Sequence, residues 1–198
     1  MGNYHYIVAG LPDLMLDFKT RPFSYEEVRN TVYSLCSESD QKLIDVLEQS
    51  FSEDNIDAAL FENAALSKND FIKNYFSFDK QFRNLKVMRL AKKLSVKPDK
   101  YIVGEVDEDF EDKDKINSLL NEENVIERER TLDKFVWDKV NDITTFNYFD
   151  IDNVLAFLVK AHITDRWCKM DKAKGAEFFK LLVNEVRGTF KGVQGFNA

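Results

Sequence analysis

The chain has 198 residues, 44% of them hydrophobic and 32% charged, the balance of a folded protein with enough length for a substantial core. Its net charge of -7 argues against a general nucleic-acid binder, which normally carries a basic face, so no nucleic-acid partner is expected. Seven Gly and three Pro are too few for the turns of an all-β fold, and seventeen Phe supply apolar area suited to helix packing.

The chain opens with Tyr4-His5-Tyr6-Ile7-Val8-Ala9-Gly10-Leu11-Pro12. A terminus this apolar is expected to pack into the body or against a partner rather than fray. His5, alternating with two tyrosines, is expected to be exposed. Ser24 to Glu27 reads as a capping box, in which the Ser side chain takes an orphan N–H and the Glu reaches back. Val28, Val32 and Leu35 then fall on one helical face. Ser37 to Asp40 marks a second start, with Leu43, Ile44 and Leu47 as its stripe. Asp54 is predicted to cap a short helix carrying Ile56, Ala59 and Leu60. Ser67 to Asp70 is a third box, leading into Phe71, Ile72, Tyr75 and Phe76. A separate helix carries Phe78, Phe82, Leu85, Met88 and Leu90 to Leu94 and stops before Pro98.

Tyr101 to Val106 is the one strand-like segment. A single strand needs a partner, so it reads as an extended linker; pairing with Ile7-Val8 in a mixed fold is the alternative. Helices follow over 112–120 and 125–144, the latter with Leu132, Phe135, Val136, Val140 and Ile143 at helical spacing. Asp150 starts another, burying Val154, Leu155, Leu158, Val159, His162, Ile163 and Trp167. A last helix is expected over 172–190, before a loose tail marked by Gly188, Gly192 and Gly195. The layout predicts an all-α fold of helical bundles in two packed halves, 1–97 and 111–198, joined by a linker over 98–110, or one continuous domain.

No phosphate loop, dinucleotide fingerprint, Cys-x-x-Cys or His-Glu-x-x-His is present, and no catalytic residue, cofactor or metal is expected. The run Asp107 to Asp112 fails as an EF-hand, since position six is Asp112 and position twelve Ser118. His162 with Asp165 and Arg166 is the one constellation an enzyme of unrecognised type would use; a packed histidine is the favoured reading. Cys36 and Cys168 read as buried thiols of a reducing compartment. No basic leader precedes the apolar start and no run of about 20 apolar residues exists, so a cytoplasmic location is expected.

Charge is segregated. Residues 80–100 hold eight basic side chains, and residues 105–127 hold ten acidic against two basic. Solvated faces lying against each other would explain this, and so would a bipolar docking surface. Lys80, Arg83, Lys86 and Arg89 recur at i,i+3 as a slowly drifting stripe on one helix. With Tyr4 and Tyr6 they are the candidate partner-binding residues.

Three segments carry a resemblance. Tyr4-x-Tyr6-x-x-Ala9 is similar to the start of the C-type stalk component (also called d) of V/A-type rotary ATPases. With Gly10-Leu11-Pro12 it looks closer still to short bacterial proteins encoded beside V-type ATPase genes. Glu129-Arg130-Thr131-Leu132-Asp133-Lys134-Phe135 resembles the Glu-x-x-Leu-Asp-x-x-(aromatic) segment of the C-type component, and Phe149 to Leu155 the Asp-x-x-Asn-(apolar) helix start that follows it. Two departures stand out: Gly10 occupies the place where that family tends to carry Arg, and this chain is shorter than its three similar helical units. The resemblance implies a shorter relative of the V/A-type ATPase C (d) fold. It also implies a non-catalytic central-stalk component coupling the shaft to the membrane rotor ring. Its partners would be the rotor ring and central-shaft proteins of a V-type ATPase. Its place would be cytoplasmic, peripheral to the inner face of the membrane through that complex. An assembly or regulatory adaptor of the same complex is the alternative within that setting.

Overall fold

The computed structural model describes residues 4–15, 23–52 and 56–170. Among these the fold is all-helical: α1 (Tyr4–Ala9), α2 (Tyr25–Leu35), α3 (Glu38–Gln49), α4 (Ala58–Ala65), α5 (Asp70–Leu94), α6 (Lys113–Leu119), α7 (Val125–Ile143) and α8 (Ile151–Lys169). The expected helix over 172–190, the glycine-marked tail and the Asp54 cap lie outside the described residues. Among the described residues no helix is long and apolar enough to cross a membrane.

Short polar side chains set most helix starts. Ser24 accepts a hydrogen bond from Glu27 N, Ser37 from Asp40 N and Asp150 from Asn153 N, as the cap pattern predicts. Two starts differ from expectation. Asp57 caps α4 by accepting from Leu60 N, so Ile56 lies ahead of the helix instead of within it. Asn69 caps α5 by accepting from Ile72 N, while Ser67 accepts from Asn69 N one step upstream. Each polar cluster offers several cap-competent residues, and packing of the following apolar turn selects among them.

Phe71 to Leu94 form one helix, not two. Nothing between Phe76 and Phe78 breaks it, and α5 runs for 25 residues. It ends at Ser95, which adopts φ 54° and ψ 38°, and Val96 N donates back to Ala91 O at 3.0 Å.

Two cores result. The larger gathers around α8, whose sides are apolar nearly all the way round, as a central helix requires. Leu155, Leu158, Val154 and Val159 are fully buried there with Ile44, Leu47, Phe71, Ile72 and Phe76. α8 packs against α1, α2, α3, α5 and α7. The smaller core joins Phe78, Phe82 and Leu85 of α5 to Ile116, Leu120, Leu132 and Phe135. Both cores combine side chains from 1–97 with side chains from 111–170.

The strand-like segment pairs with no strand among the described residues. Ile7-Val8 is helical, which removes the mixed-fold alternative. Two amide side chains of α5 take the place of a neighbouring strand. Asn84 Nδ2 donates to Val103 O at 3.0 Å, and Val103 N donates to Asn84 Oδ1 at 3.0 Å. One turn away, Gln81 Nε2 donates to Glu105 O at 3.2 Å, and Asp107 N donates to Gln81 Oε1 at 3.1 Å. A primary amide offers the same donor and acceptor pair as a peptide unit, so the extended backbone is satisfied without a ladder.

Candidate functional site

The aromatic start divides its labour. Tyr4 is half-buried, and its hydroxyl donates to Asp40 Oδ2 at 2.8 Å; the Ser37 hydroxyl donates to the same oxygen at 2.8 Å. Burial, with the Asp40 carboxylate beside it, holds the Tyr4 phenol well above its usual range. Ile7 is buried in the large core. The His5 ring lies 4.2 Å from that of Phe149, on the loop that leads into α8. Tyr6 is exposed and, with Leu11, Pro12, Val28 and Leu35, lines a groove of about 570 Å³ between the first turn of the chain and α2. Tyr4 is thus a structural side chain, and Tyr6 is the one presented outward.

The basic stripe does not hold one face. At roughly 100° per residue, Lys80 and Arg89 end up about half a turn apart. Arg83 turns inward: its Nε sits 2.7 Å from Asp79 Oδ2, and its NH2 donates to Ser50 O at 2.9 Å. Burial raises the Asp79 carboxyl above its usual range, and Arg83 opposes that shift. Lys86 lies 3.4 Å from Glu129 on α7. The Arg89 Nε is buried without a hydrogen-bond partner. The stem of Lys80 packs beside Gly104, which adopts φ 62°. Lys86 and Arg89 therefore share a surface, whereas Arg83 is half-buried and turned towards Asp79 and Ser50.

A second groove, of about 440 Å³, runs between α5, α7 and α8 and contains Asp79, Arg83, Asp133, His162 and Arg166. Asp133 is buried and accepts from Trp167 Nε1 at 2.6 Å and from Arg166. Asp165 accepts from Tyr25 N at 3.2 Å and pairs with Lys169 at 2.6 Å, tying α8 to the first turn of α2. His162 stacks on Phe51, with ring centroids 4.2 Å apart and planes 8° apart, and meets Tyr25 edge-on at 5.7 Å. Burial lowers its pKa below the ordinary histidine value, and Arg166 adds to that. The three residues therefore point to three different partners. Among the described residues no hydrogen bond joins His162 to Asp165 or Arg166, and the geometry is that of packing side chains.

Cys36 is buried, and burial with Asp40 nearby pushes its thiol up to about 11. Cys168 is exposed, contrary to the expectation of burial, because it falls on the outer side of α8 near its end. Asp107, Glu108 and Asp109 point to solvent, with Lys113 paired to Glu108.

Sequence reading missed the two amides, Gln81 and Asn84, that hold the 101–107 segment. A signal was present in their place among Phe78, Phe82 and Leu85, and both prove to be buried, where polar side chains demand partners. It also missed the pairing of Arg29 with Glu48 at 2.8 Å, a bond shared with the Tyr25 hydroxyl.

Taken together, these features define a fold that is all-helical among the described residues, in which buried ionisable groups such as Asp133 and Asp165 tie helices to one another. The chain belongs to the family described as protein of unknown function (DUF2764), whose model matches residues 1–59 and 48–189. No curated protein and no solved structure matches it.

Proposed function

We propose that the protein is a non-catalytic central-stalk component of a V-type ATPase, a shorter relative of the C-type (d) component that couples the shaft to the membrane rotor ring. On this reading it works in the cytoplasm, held at the inner face of the membrane by the rotor ring and central-shaft proteins.

One observation carries the proposal. Each of the three segments that resemble the C-type component makes contact with α8 or sets its start. α1, with Tyr4 and Ile7, packs against α8. Asp133 accepts from Arg166 and Trp167 near its C-terminal end. Asp150 caps its start, and Asn153 Nδ2 donates to Asn147 O to lock the preceding turn at 2.9 Å. Shared residues that all serve one central helix are what a common scaffold would retain. A coupling element needs stiffness, and a central helix clamped at both ends supplies it.

The test is affinity purification of the tagged chain from its native cells in mild detergent, with mass spectrometry of the co-purifying proteins. Ring and shaft proteins at near-equal stoichiometry are expected, and they should survive a stringent wash. Loss of those proteins on washing would favour the assembly adaptor instead. Recovery of the chain alone would overturn both.

A further inference from the structure

We propose that the cleft between α5, α6 and α7 docks an acidic, amphipathic segment of another protein. It is lined by Lys86, Arg89, Lys93 and Arg128, with Leu90 and Leu120 as its apolar floor, and it encloses about 280 Å³. This inference does not rest on the rotor reading; it follows from local chemistry.

The charge argument comes first. Four cations face one carboxylate, Glu129, on a chain whose net charge is -7. Lys86 and Arg128 share that carboxylate at 3.4 and 3.8 Å. Lys93 and Arg89 have no ion pair among the described residues, and the Arg89 Nε is buried with no acceptor. Both line the cleft without a paired carboxylate, so an arriving carboxylate meets two uncommitted cations and gains charge-assisted bonds. A basic site on an acidic molecule also orients an acidic partner during approach.

Apolar surface narrows the partner further. Leu90 is 57% exposed, and Leu94, one turn on along the same face of α5, is 62% exposed. Val125 and Ile126 are 58% and 59% exposed at the start of α7, one turn before Arg128 and Glu129. Single exposed apolar side chains are ordinary, but one lining a basic cleft and three within a helical turn of its lining residues form a mixed surface. A free phosphate has no apolar side to satisfy it. A helix carrying Leu or Phe on one face and Glu or Asp beside it matches both features. The cleft's volume accommodates an anchoring side chain rather than a whole helix.

The probe is a fluorescein-labelled helical peptide built only of Leu and Glu, with Leu at i,i+3 and i,i+4 spacing, titrated by anisotropy against the full chain. Binding is expected to weaken at least tenfold between about 50 mM and about 300 mM salt, since part of the attraction is screened. Arg89→Glu combined with Lys93→Glu should weaken it at least tenfold. Leu90→Ser should weaken it severalfold while leaving the salt dependence intact. Lys42→Glu, on the exposed side of α3, should change nothing. Circular dichroism checks folding; if the Arg89 variant unfolds, Lys93→Glu with Leu90→Ser, both at exposed positions, replaces it. Five results would overturn the proposal: no binding; unchanged binding by the charge-reversed chain; equal binding of a peptide with Ser in place of Leu, or full competition by inorganic phosphate, either of which would leave an anion site only; and salt-sensitive self-association abolished by Lys93→Glu, which would assign the cleft to a second copy.

Discussion

His162 was expected from its apolar helix face to be a packed histidine, and its ring is indeed packed against two aromatic neighbours. Its ring lies flat on Phe51 and edge-on to Tyr25, where a proton would be poorly solvated. Burial and Arg166 lower its pKa, with Asp165 opposing. The folded state therefore prefers the neutral ring, while the unfolded chain takes up a proton near the ordinary value of about 6.5. The stability this contributes is fully present above that value. It is lost as pH falls through it towards the lower folded value. Urea midpoints measured from about pH 7.5 down to about pH 5.5 should decline, and His162→Phe should flatten that decline. An unchanged slope in the variant would assign the pH dependence elsewhere. The sequence placed His162 on an apolar helix face, and that much was legible. Its ring partner Phe51 was not, because a contact between α8 and the end of α3 has no sequence periodicity. The same limit divides the basic stripe: spacing showed that four cations share a helix, but not that Asp79 and Ser50 draw Arg83 inward.

Legibility at the scale of elements follows locality. Ser24, Ser37 and Asp150 were readable as caps because donor and acceptor lie within one turn. The break expected within α5 was wrong because polar residues between two apolar patterns do not stop a helix unless something in the backbone does. The stop is at Ser95, where a residue with a Cβ holds a left-handed conformation. Ser95→Gly should raise stability by about 0.5–1 kcal/mol by relieving that strain, with a higher urea midpoint at unchanged m value. A lower midpoint would show that the gain in unfolded-chain entropy outweighs the relief. The 101–107 segment is the nonlocal counterpart. Its β-like composition satisfies a half-buried extended chain, yet its partners are side-chain amides from α5, about twenty residues away in sequence. Asn84→Ala would leave the Val103 N–H and C=O without their protein partners, at a cost of about 1–3 kcal/mol. Trypsin should then cut faster after Lys100 in the native state. Equal cutting rates would mean that Gln81 alone holds the segment.

For the whole molecule, the question is whether two cores behave as one. α5 spans both, with Phe71, Ile72 and Phe76 in the larger and Phe78, Phe82 and Leu85 in the smaller. α7 does the same, with Val140 in the larger, Leu132 and Phe135 in the smaller, and Val136 against each. Two rigid helices crossing one boundary should make the cores open together, because freeing either leaves apolar surface on shared elements exposed. Ser77 sits on α5 between the two sets and faces solvent, so a substitution there changes the backbone with little effect on packing. Ser77→Pro removes a mid-helix hydrogen bond and crowds the preceding turn, a cost of about 3 kcal/mol. Native-state hydrogen exchange reads the outcome. In the parent chain, amides of α6 and of residues 78–85 should open with free energies close to those of α8. In the variant, α6 and 78–85 should exchange by a lower-energy opening while α8 keeps most of its protection, since α8 is held independently by α1, α2 and α3. Uniform loss across both regions would mean that α7 alone suffices to couple the cores. A scaffold built to transmit torque would benefit from the first arrangement: stiffness along α5 would then be a property of the whole body, set by one uninterrupted helix.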